Sequence, residues 1–185
     1  VTLAEAQAEL DVIAGRMREQ YPDHYPPNGG LTVSAVPLLE QLVTDARAVF
    51  GARRLPTLTV EGNLAVAYLC AERLDEGHAL LLDAYKTRQR VLGEYDAATL
   101  TAADCLATAH RLLGRHAEAV ALGKRVVAAR TRTLGRAHVD TLTSRMGLAL
   151  AYLAAGAVPE ARAQLESALS VAEDAHGRAH PHVIE

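Results

Sequence analysis

The stretch LGRAHVDTLT, residues 134–143, is the third copy of one pattern in a chain of 185 residues. Earlier copies are FGARRLPTLT from residue 50 and LGEYDAATLT from residue 92, so successive copies lie 42 residues apart. A fourth copy, HGRAHPHVIE, opens at residue 176. Self-similarity at a fixed period of about 20–50 residues is typical of repeat proteins, whose neighbouring units stack to bury one continuous core. The repeat therefore decides the fold.

Equivalent residues of the copies form columns of the same type. The clearest columns are Thr57, Thr99 and Thr141; Leu64, Leu106 and Leu148; and Ala67, Ala109 and Ala151. Within the first copy, Leu58, Ala65 and Leu69 recur at steps of seven and four residues, which places them on one face of a helix. The spacing predicts an all-α fold, with helices near 3–20, 34–50, 57–71, 75–91, 99–113, 117–133, 141–155 and 159–175.

The ends of these helices carry signals of their own. The recurring threonines, Thr57, Thr99 and Thr141, can cap the free N–H groups where the first helix of each pair begins. Gly114 and Gly156 supply the left-handed residue that ends a helix. Each repeat is therefore expected to be a helical hairpin, and residues 51–185 are expected to form an array of three repeats and a truncated fourth.

Residues 1–50 are expected to form a divergent N-terminal hairpin that caps the array, because terminal repeats of stacked arrays are usually atypical. A loop rich in Pro and Gly, residues 21–33, separates its two helices. Leu38 lies one period before Leu80, so the second of these helices is in phase with the repeats. Because the chain starts without Met and stops ten residues into a repeat, we expect a fragment of a longer protein.

Composition excludes several classes of protein. A net charge of -3 and a pI near 6.3 give no general attraction to nucleic acid or to an anionic membrane. No apolar run is long enough to span a bilayer. Cys70 and Cys105 stand alone, without the spacing of a metal site, and we interpret them as small buried residues in a reducing compartment. We therefore expect a cytoplasmic protein that makes no contact with a membrane.

The sequence contains no recognisable motif for catalysis or for a cofactor, such as GxSxG, HExxH or a glycine-rich phosphate loop. We predict no catalytic residue and no cofactor, and a small-molecule pocket would need convergent polar groups that are missing. His176, His180 and His182 cluster in the fourth copy, but the repeat pattern itself explains His180 and the equivalent His138. A zinc site needs three or four ligands, so we predict no metal site.

Residues 111–138 are basic. The seven cations are Arg111, Arg115, Lys124, Arg125, Arg130, Arg132 and Arg136, and the one acid is Glu118. Such a stretch could bind phosphate groups or an acidic partner. However, the spacing of Arg88 and Arg90 recurs in Arg130 and Arg132, and no aromatic residue is interspersed. We interpret the stretch as scaffold with a solvated face, and nucleic acid is not the expected partner.

The repeat resembles the tetratricopeptide repeat, and its joint resembles that of the kinesin-light-chain-like variety. The residues that carry the resemblance are Leu106, Ala107, His110, Gly114, Ala119 and Val126 within the second repeat, and Leu134, Gly135, His138, Asp140, Thr141 and Leu142 at the joint. The resemblance covers about residues 50–185. It implies a right-handed superhelical stack of antiparallel helical hairpins, in which the first helix of each hairpin lines a concave groove.

The resemblance also implies which residues face this groove. They are Thr59, Gly62, Asn63, Val66 and Leu69 of the first repeat, Thr101, Asp104, Thr108 and Arg111 of the second, and Thr143, Met146, Leu150 and Leu153 of the third. Asn63 matches the family's usual Asn, which bonds a peptide backbone, whereas Cys105 and Gly147 depart from it. The Lys and Asn residues that clamp a C-terminal carboxylate are missing, so the groove suits an apolar peptide or a helix. Its apolar residues could equally serve packing alone.

A protein-interaction or regulatory module that binds a protein or peptide partner is therefore the expected function. The Ala-, Arg- and Leu-rich composition looks like that of high-GC bacteria such as actinobacteria, where such arrays are often joined to signalling kinases, transcriptional regulators or STAND-type ATPases. The alternative is thus an intramolecular sensor that grips a flanking domain of the same chain. We also expect Leu165, Leu169 and Val171 of the last helix to be covered, either by the 176–185 tail or by a second copy of the chain in a homo-oligomer.

Overall fold

The computed structural model describes residues 31–177, with side chains described from residue 36 to residue 174. This part of the chain consists of seven helices and contains no strand. They are α1 (Leu31–Phe50), α2 (Leu55–Cys70), α3 (Leu74–Leu92), α4 (Ala97–Leu112), α5 (His116–Leu134), α6 (Val139–Ala154) and α7 (Val158–Gly177). They fall into two compact units, α1–α2 and α3–α7. The prediction of an all-α fold built from helical repeats is confirmed.

The predicted helix bounds agree with the observed ones to within three residues at each end. The largest difference is at α1, which begins at Leu31, so the last residues of the predicted loop 21–33 belong to the helix. The predicted helix 3–20, most of that loop and nearly all of the fourth copy lie outside the described residues. The N-terminal hairpin therefore stays a prediction.

Charged hydrogen bonds hold α2 against α1. The carboxylate of Glu61, a residue that is 2% exposed, accepts a hydrogen bond from Arg47 Nε at 2.8 Å. Nearer the end of α2, Glu40 of α1 accepts from the Tyr68 hydroxyl at 2.8 Å and from Arg73 Nη1 at 3.1 Å. Hydrogen bonds to an ionised group are stronger than neutral ones, so these contacts fix the pairing of the two helices at two places.

Helices α3–α7 pack through small residues. Ala119, Ala149 and Ala161 are fully buried, each at a position where the repeat has a small side chain. A Cβ added at Gly123 of α5 would lie only 3.2 Å from Leu148 Cδ1 of α6, which shows how closely these two helices approach. One core cluster combines Leu100 and Ala103 of α4 with Val126 and Ala129 of α5. Close helix–helix contact therefore explains the high Ala content.

The predicted N-caps are wrong. The threonines proposed for this role, Thr57, Thr99 and Thr141, lie inside the first helical turn and are fully buried. The caps lie three residues earlier: the Asp96 carboxylate accepts from two backbone N–H groups of α4, and His138 Nδ1 accepts from one of α6. At the start of α2 the equivalent residue, Arg54, makes no capping hydrogen bond with its side chain. The threonine column marks a core position near the helix start.

Replacement of these threonines by valine is expected to change the free energy of unfolding by different amounts, although the three positions are equivalent in the repeat. Thr57 Oγ1 donates to the carbonyls of Ala46 and Gly51 at 3.2 and 2.9 Å, whereas the hydroxyls of Thr99 and Thr141 have no partner among the described residues. Thr57→Val should therefore lower the free energy of unfolding by about 1 kcal/mol, and Thr99→Val and Thr141→Val should leave it unchanged or raise it. Urea denaturation followed by circular dichroism measures the three values, and equal losses would contradict this account.

The helix ends follow the predicted glycine pattern. Gly114 and Gly156 have φ angles of 73° and 76°, in the left-handed region. The equivalent residue of the first repeat is Glu72, whose φ of 60° is unusual for a residue with a Cβ atom. The first repeat therefore keeps the backbone turn without the residue that adopts it most readily.

Several side chains are more exposed than the sequence indicated. Cys70 is exposed at the end of α2 and Cys105 is half-buried, so their interpretation as buried residues is wrong. Leu165 and Leu169 of α7 are 44% and 60% exposed. Most of the tail expected to cover them lies outside the described residues, so the cover stays a prediction. None of the described helices combines the length and apolarity that crossing a bilayer requires.

Candidate functional site

Helices α4 and α6 lie side by side and carry the predicted groove residues of the second and third repeats. Met146, Leu150 and Leu153 of α6 are 56%, 52% and 46% exposed, and they follow Thr143 at helical spacing. On α4, Thr101 and Thr108 are exposed, and Asp104 and Arg111 are half-buried. We call this surface of exposed and half-buried side chains the α4–α6 wall. All eight predicted residues on these two helices remain accessible.

A cavity of about 160 Å³ lies in the wall between the two helices. It is lined by Asp104, Cys105, Ala107, Thr108 and Arg111 of α4, Ala119 and Gly123 of α5, and Thr143, Gly147 and Leu148 of α6. Four of the predicted groove residues therefore meet around it, while Met146, Leu150 and Leu153 lie outside its lining. An apolar cavity of about 150 Å³ can hold a molecule the size of benzene, so this one is large enough for a single side chain.

Gly147 lines the cavity without adding a side chain to it. A Cβ added to this residue would meet no atom within 4 Å, because it would project into free space. The sequence had marked Gly147 only as a departure from the Asn that occupies the equivalent position 63. A glycine at this position was the one sign of a cavity that the sequence offered. Whether a glycine leaves a cavity depends on the distance between the neighbouring helices, which the sequence does not give.

The threonine hydroxyls of the wall are already engaged within their own helices. Thr101, Thr108 and Thr143 each donate to the carbonyl oxygen four residues earlier, at 2.9, 3.2 and 2.9 Å. A hydroxyl bonded in this way keeps its capacity as an acceptor but has no proton left for a ligand. The threonines therefore offer no donor to a ligand, and Asp104 and Arg111 are the charged residues of the wall.

Asp104 is held by a buried arginine. Arg130 of α5 is 5% exposed, and its Nη1 lies 3.0 Å from Asp104 Oδ2, which also accepts a hydrogen bond from Ser144 Oγ at 2.9 Å. Burial raises the pKa of Asp104, and the nearby Arg130 and Ser144 oppose that rise. Its Oδ1 has no hydrogen-bond partner among the described residues, and the side chain is 26% exposed. That oxygen can accept an N–H group of a ligand.

Arg111 lies seven residues after Asp104 on the same helix, about 10 Å further along the axis. Its guanidinium makes no hydrogen bond or ion pair with another described residue. The cavity therefore has a carboxylate oxygen on one side and an uncompensated guanidinium on the other. This arrangement can recognise both a donor and an acceptor of one bound segment.

The first-repeat residues lie on α2, in the other unit. Thr59, Asn63 and Val66 are exposed there, and Gly62 is half-buried. Leu69 was predicted to face the groove but is only 9% exposed. It follows the fully buried Ala65 by one helical turn and therefore lies on the buried face of α2. We leave Leu69 out of any proposed binding surface.

Burial shifts the pKa of three side chains in unit α3–α7. Burial raises the pKa of the Cys105 thiol, so it stays protonated at neutral pH. The rings of His78 and His110 meet edge to face with centroids 4.8 Å apart, and burial lowers the pKa of both. Among the described residues, no three His, Cys, Asp or Glu side chains come together in a way that could hold a metal ion.

Known proteins share the repeat and the fold. A family model described as "Tetratricopeptide repeat" matches residues 56–131 and 97–174. Two crystal structures of "kinesin light chain nearly identical TPR-like repeats" from Podosopora anserina, one of them a point variant, are 26% identical to this chain. Their TM-scores are 0.71 and 0.68, and the alignments cover 94% and 93% of this chain and 88% of each of theirs. BtubC (BKLC) from P. vanneervenii is 18% identical, with a TM-score of 0.70 over 95% of this chain and 68% of that chain, and shares the fold. No curated protein matches the chain.

Proposed function

The chain belongs to the tetratricopeptide repeat family, and we propose that its α4–α6 wall binds a segment of a protein partner. Repeats of this family generally mediate protein–protein interaction, and their stacks offer extended binding surfaces. The observation that carries the proposal is the cavity of about 160 Å³, which has room for one side chain between Asp104 and Arg111. One apolar side chain of the partner would occupy it.

Exposed apolar side chains extend the site beyond the cavity. Met146, Leu150 and Leu153 lie along the same helix as Gly147 and are each about half exposed. An extended peptide or an amphipathic helix would bury them, and each buried side chain contributes about 1.5–3 kcal/mol. Asp104 Oδ1 would accept an N–H group of the segment, and Arg111 would donate to a carbonyl or carboxylate oxygen.

An intramolecular sensor would use the same wall, with the segment supplied by a flanking signalling or DNA-binding domain. No observation on the described residues favours that version, so a separate protein partner is the proposal. In either version the same residues of α4 and α6 make the contacts.

The wall variant Leu150→Glu/Arg111→Glu tests the proposal by selection from a displayed library of random peptides. Peptides that bind the wall should carry an apolar residue, and the wall variant should bind these enriched peptides at least ten-fold more weakly than the parent does, because it replaces an apolar contact and a cation by carboxylates. Fluorescence anisotropy measures the affinities, and circular dichroism checks that the variant is folded.

The matched control is Leu134→Glu/Arg90→Glu, which makes the same chemical changes at two exposed positions outside the cavity lining. It should bind the peptides within about two-fold of the parent, since exposed charges far from a ligand act weakly. Equal binding of every enriched peptide by the parent and the wall variant would contradict the proposal. A selection that enriches no peptide on the parent would contradict it as well.

A further inference from the structure

A second surface, around α5, combines positive charge with aromatic rings. Two adjoining cavities of about 200 and 420 Å³ share Ala128 and Arg132 in their linings. The smaller one lies between α3, α4 and α5, and the larger one between α5, α6 and α7. We call the joint lining of these two cavities the α5 surface. From its geometry we infer that it binds an acidic segment of a protein partner, independently of the α4–α6 wall.

The larger cavity has cations and no acid. Lys124, Arg132 and Arg145 line it without any Asp or Glu, and none of them forms an ion pair with a carboxylate among the described residues. Arg125, in the smaller cavity, differs because it pairs with Glu94 at 2.7 Å. The whole chain has a net charge of -3, so this local excess of positive charge is not a consequence of a basic composition. It favours an anionic ligand.

Tyrosines from neighbouring elements lie beside two of these cations. The Arg132 guanidinium is 4.2 Å from the ring centroid of Tyr95, and Lys124 Nζ is 5.5 Å from that of Tyr152. These distances are within the range of cation–π attraction. Each contact restricts a long side chain before a ligand arrives, so less conformational entropy is lost on binding. The two tyrosines come from the α3–α4 joint and from α6. Both lie outside the basic stretch 111–138, so the sequence of that stretch does not show these aromatic contacts.

Arg145 adds directional donors between α6 and α7. Its Nη1 lies 3.5 Å from Gln164 Oε1 and 3.3 Å from Ser167 Oγ. Neither partner is charged, so no carboxylate compensates the guanidinium. Its Nη2 makes no hydrogen bond with another described residue and can donate to a carboxylate oxygen of a ligand. The third cation is therefore suited to one carboxylate at a defined position.

The chemistry of the larger cavity favours an acidic peptide over a nucleic acid. Its remaining lining includes Val127, Ala128 and Leu148, which would contact an apolar side chain next to the carboxylate. Nucleic acids instead carry closely spaced phosphates and are bound by rows of cations along an extended face. Three unpaired cations around one partly apolar cavity match a short segment that carries Asp or Glu beside an apolar residue.

Charge reversal on α5 tests this inference. A displayed library of random peptides is selected on the Leu150→Glu/Arg111→Glu protein, whose wall is disabled, so that the result does not depend on the wall. We expect enrichment of peptides that carry acidic residues beside an apolar one. Adding Lys124→Glu and Arg132→Glu, both at exposed positions, should weaken their binding at least ten-fold. Raising the salt concentration should weaken it in the protein that retains both cations, because these charges are exposed.

The matched control adds Arg53→Glu and Arg162→Glu instead, at two exposed arginines that line neither cavity. It should retain the affinity within about two-fold. If the reversed α5 variant loses its helical circular dichroism, the neutral pair Lys124→Gln and Arg132→Gln replaces it, with the same expected direction. The inference is overturned if the selection enriches no acidic peptide, or if acidic peptides bind equally after charge reversal. Tight binding of a single-stranded DNA oligonucleotide that depends on Lys124 and Arg132, without peptide binding, would assign the surface to nucleic acid and also overturn it.

Discussion

Replacing Arg130 by methionine is expected to lower the free energy of unfolding by about 3 kcal/mol at neutral pH. The side chain is 5% exposed and joins three helices. Besides the pair with Asp104, it donates to the Asp140 carbonyl at 2.9 Å, to Ser144 Oγ at 3.0 Å and to Thr101 Oγ1 at 3.0 Å. Methionine fills similar space but makes none of these bonds, and it leaves the Asp104 carboxylate without a countercharge. Urea denaturation followed by circular dichroism measures the loss.

The loss in Arg130→Met should become smaller as the pH falls. Burial already raises the pKa of Asp104 in the folded parent, and removal of Arg130 takes away the main opposing influence. A carboxyl group whose pKa is raised by folding binds protons more tightly in the folded state, so its folded form gains stability as the pH falls through that raised pKa and loses it as the pH rises. The difference between variant and parent should therefore be largest at neutral pH and smallest below the folded pKa of the variant.

Two further proteins separate the charge effect from a packing effect. Adding Asp104→Asn to Arg130→Met should recover part of the loss at neutral pH, because no uncompensated carboxylate remains. The control Arg90→Met, at the exposed second arginine of the equivalent pair, should change the free energy of unfolding by less than about 0.5 kcal/mol. A loss in Arg130→Met that does not vary with pH and is not relieved by Asp104→Asn would show that the ion pair is not its cause.

The arginine pairs illustrate how far sequence reasoning could go. The recurrence of Arg88 with Arg90 and of Arg130 with Arg132 correctly indicated a role in the scaffold for the first member of each pair, since Arg88 and Arg130 are 8% and 5% exposed. The second members are exposed, and Arg132 lies on the α5 surface. Two positions along a helix turn the side chain to a different face, but the sequence does not reveal which neighbouring helix each face meets.

The same limit applies to the α4–α6 wall. The 42-residue period predicted the bounds of the seven described helices within three residues. The resemblance placed Asp104, Thr108, Arg111 and Thr143 on one surface, and these four residues line a common cavity. The resemblance placed Leu69 in the groove, whereas the helical period groups it with Leu58 and Ala65, and its 9% exposure agrees with the period. Period and resemblance could not predict the cavity itself, since its volume depends on distances between helices that are far apart in the chain.

Filling the cavity at Gly147 is expected to abolish most peptide binding without reducing stability. Gly147 lines the cavity, and a Cβ at this position meets no atom within 4 Å. The methionine side chain of Gly147→Met should therefore occupy the volume that we assign to the partner's side chain. Loss of one buried apolar side chain of the partner corresponds to about 1.5–3 kcal/mol, or roughly a ten-fold to 150-fold weaker affinity. This change adds no charge, so it separates exclusion of the ligand from the electrostatic effects of Leu150→Glu/Arg111→Glu. Fluorescence anisotropy with the peptides selected on the parent measures it.

The control for this prediction is Gly147→Ala, which shortens the added side chain to one methyl group. Glycine inside a helix costs about 1 kcal/mol relative to alanine, and the position has no positive φ, so this variant should be more stable than the parent. It should also keep its affinity within about three-fold, because a methyl group fills little of the 160 Å³. Acidic peptides that bind the α5 surface should bind both Gly147 variants equally well. If Gly147→Met is folded and binds the wall peptides as tightly as Gly147→Ala does, the partner's side chain does not enter this cavity, and the exposed apolar residues of α6 alone would have to account for binding.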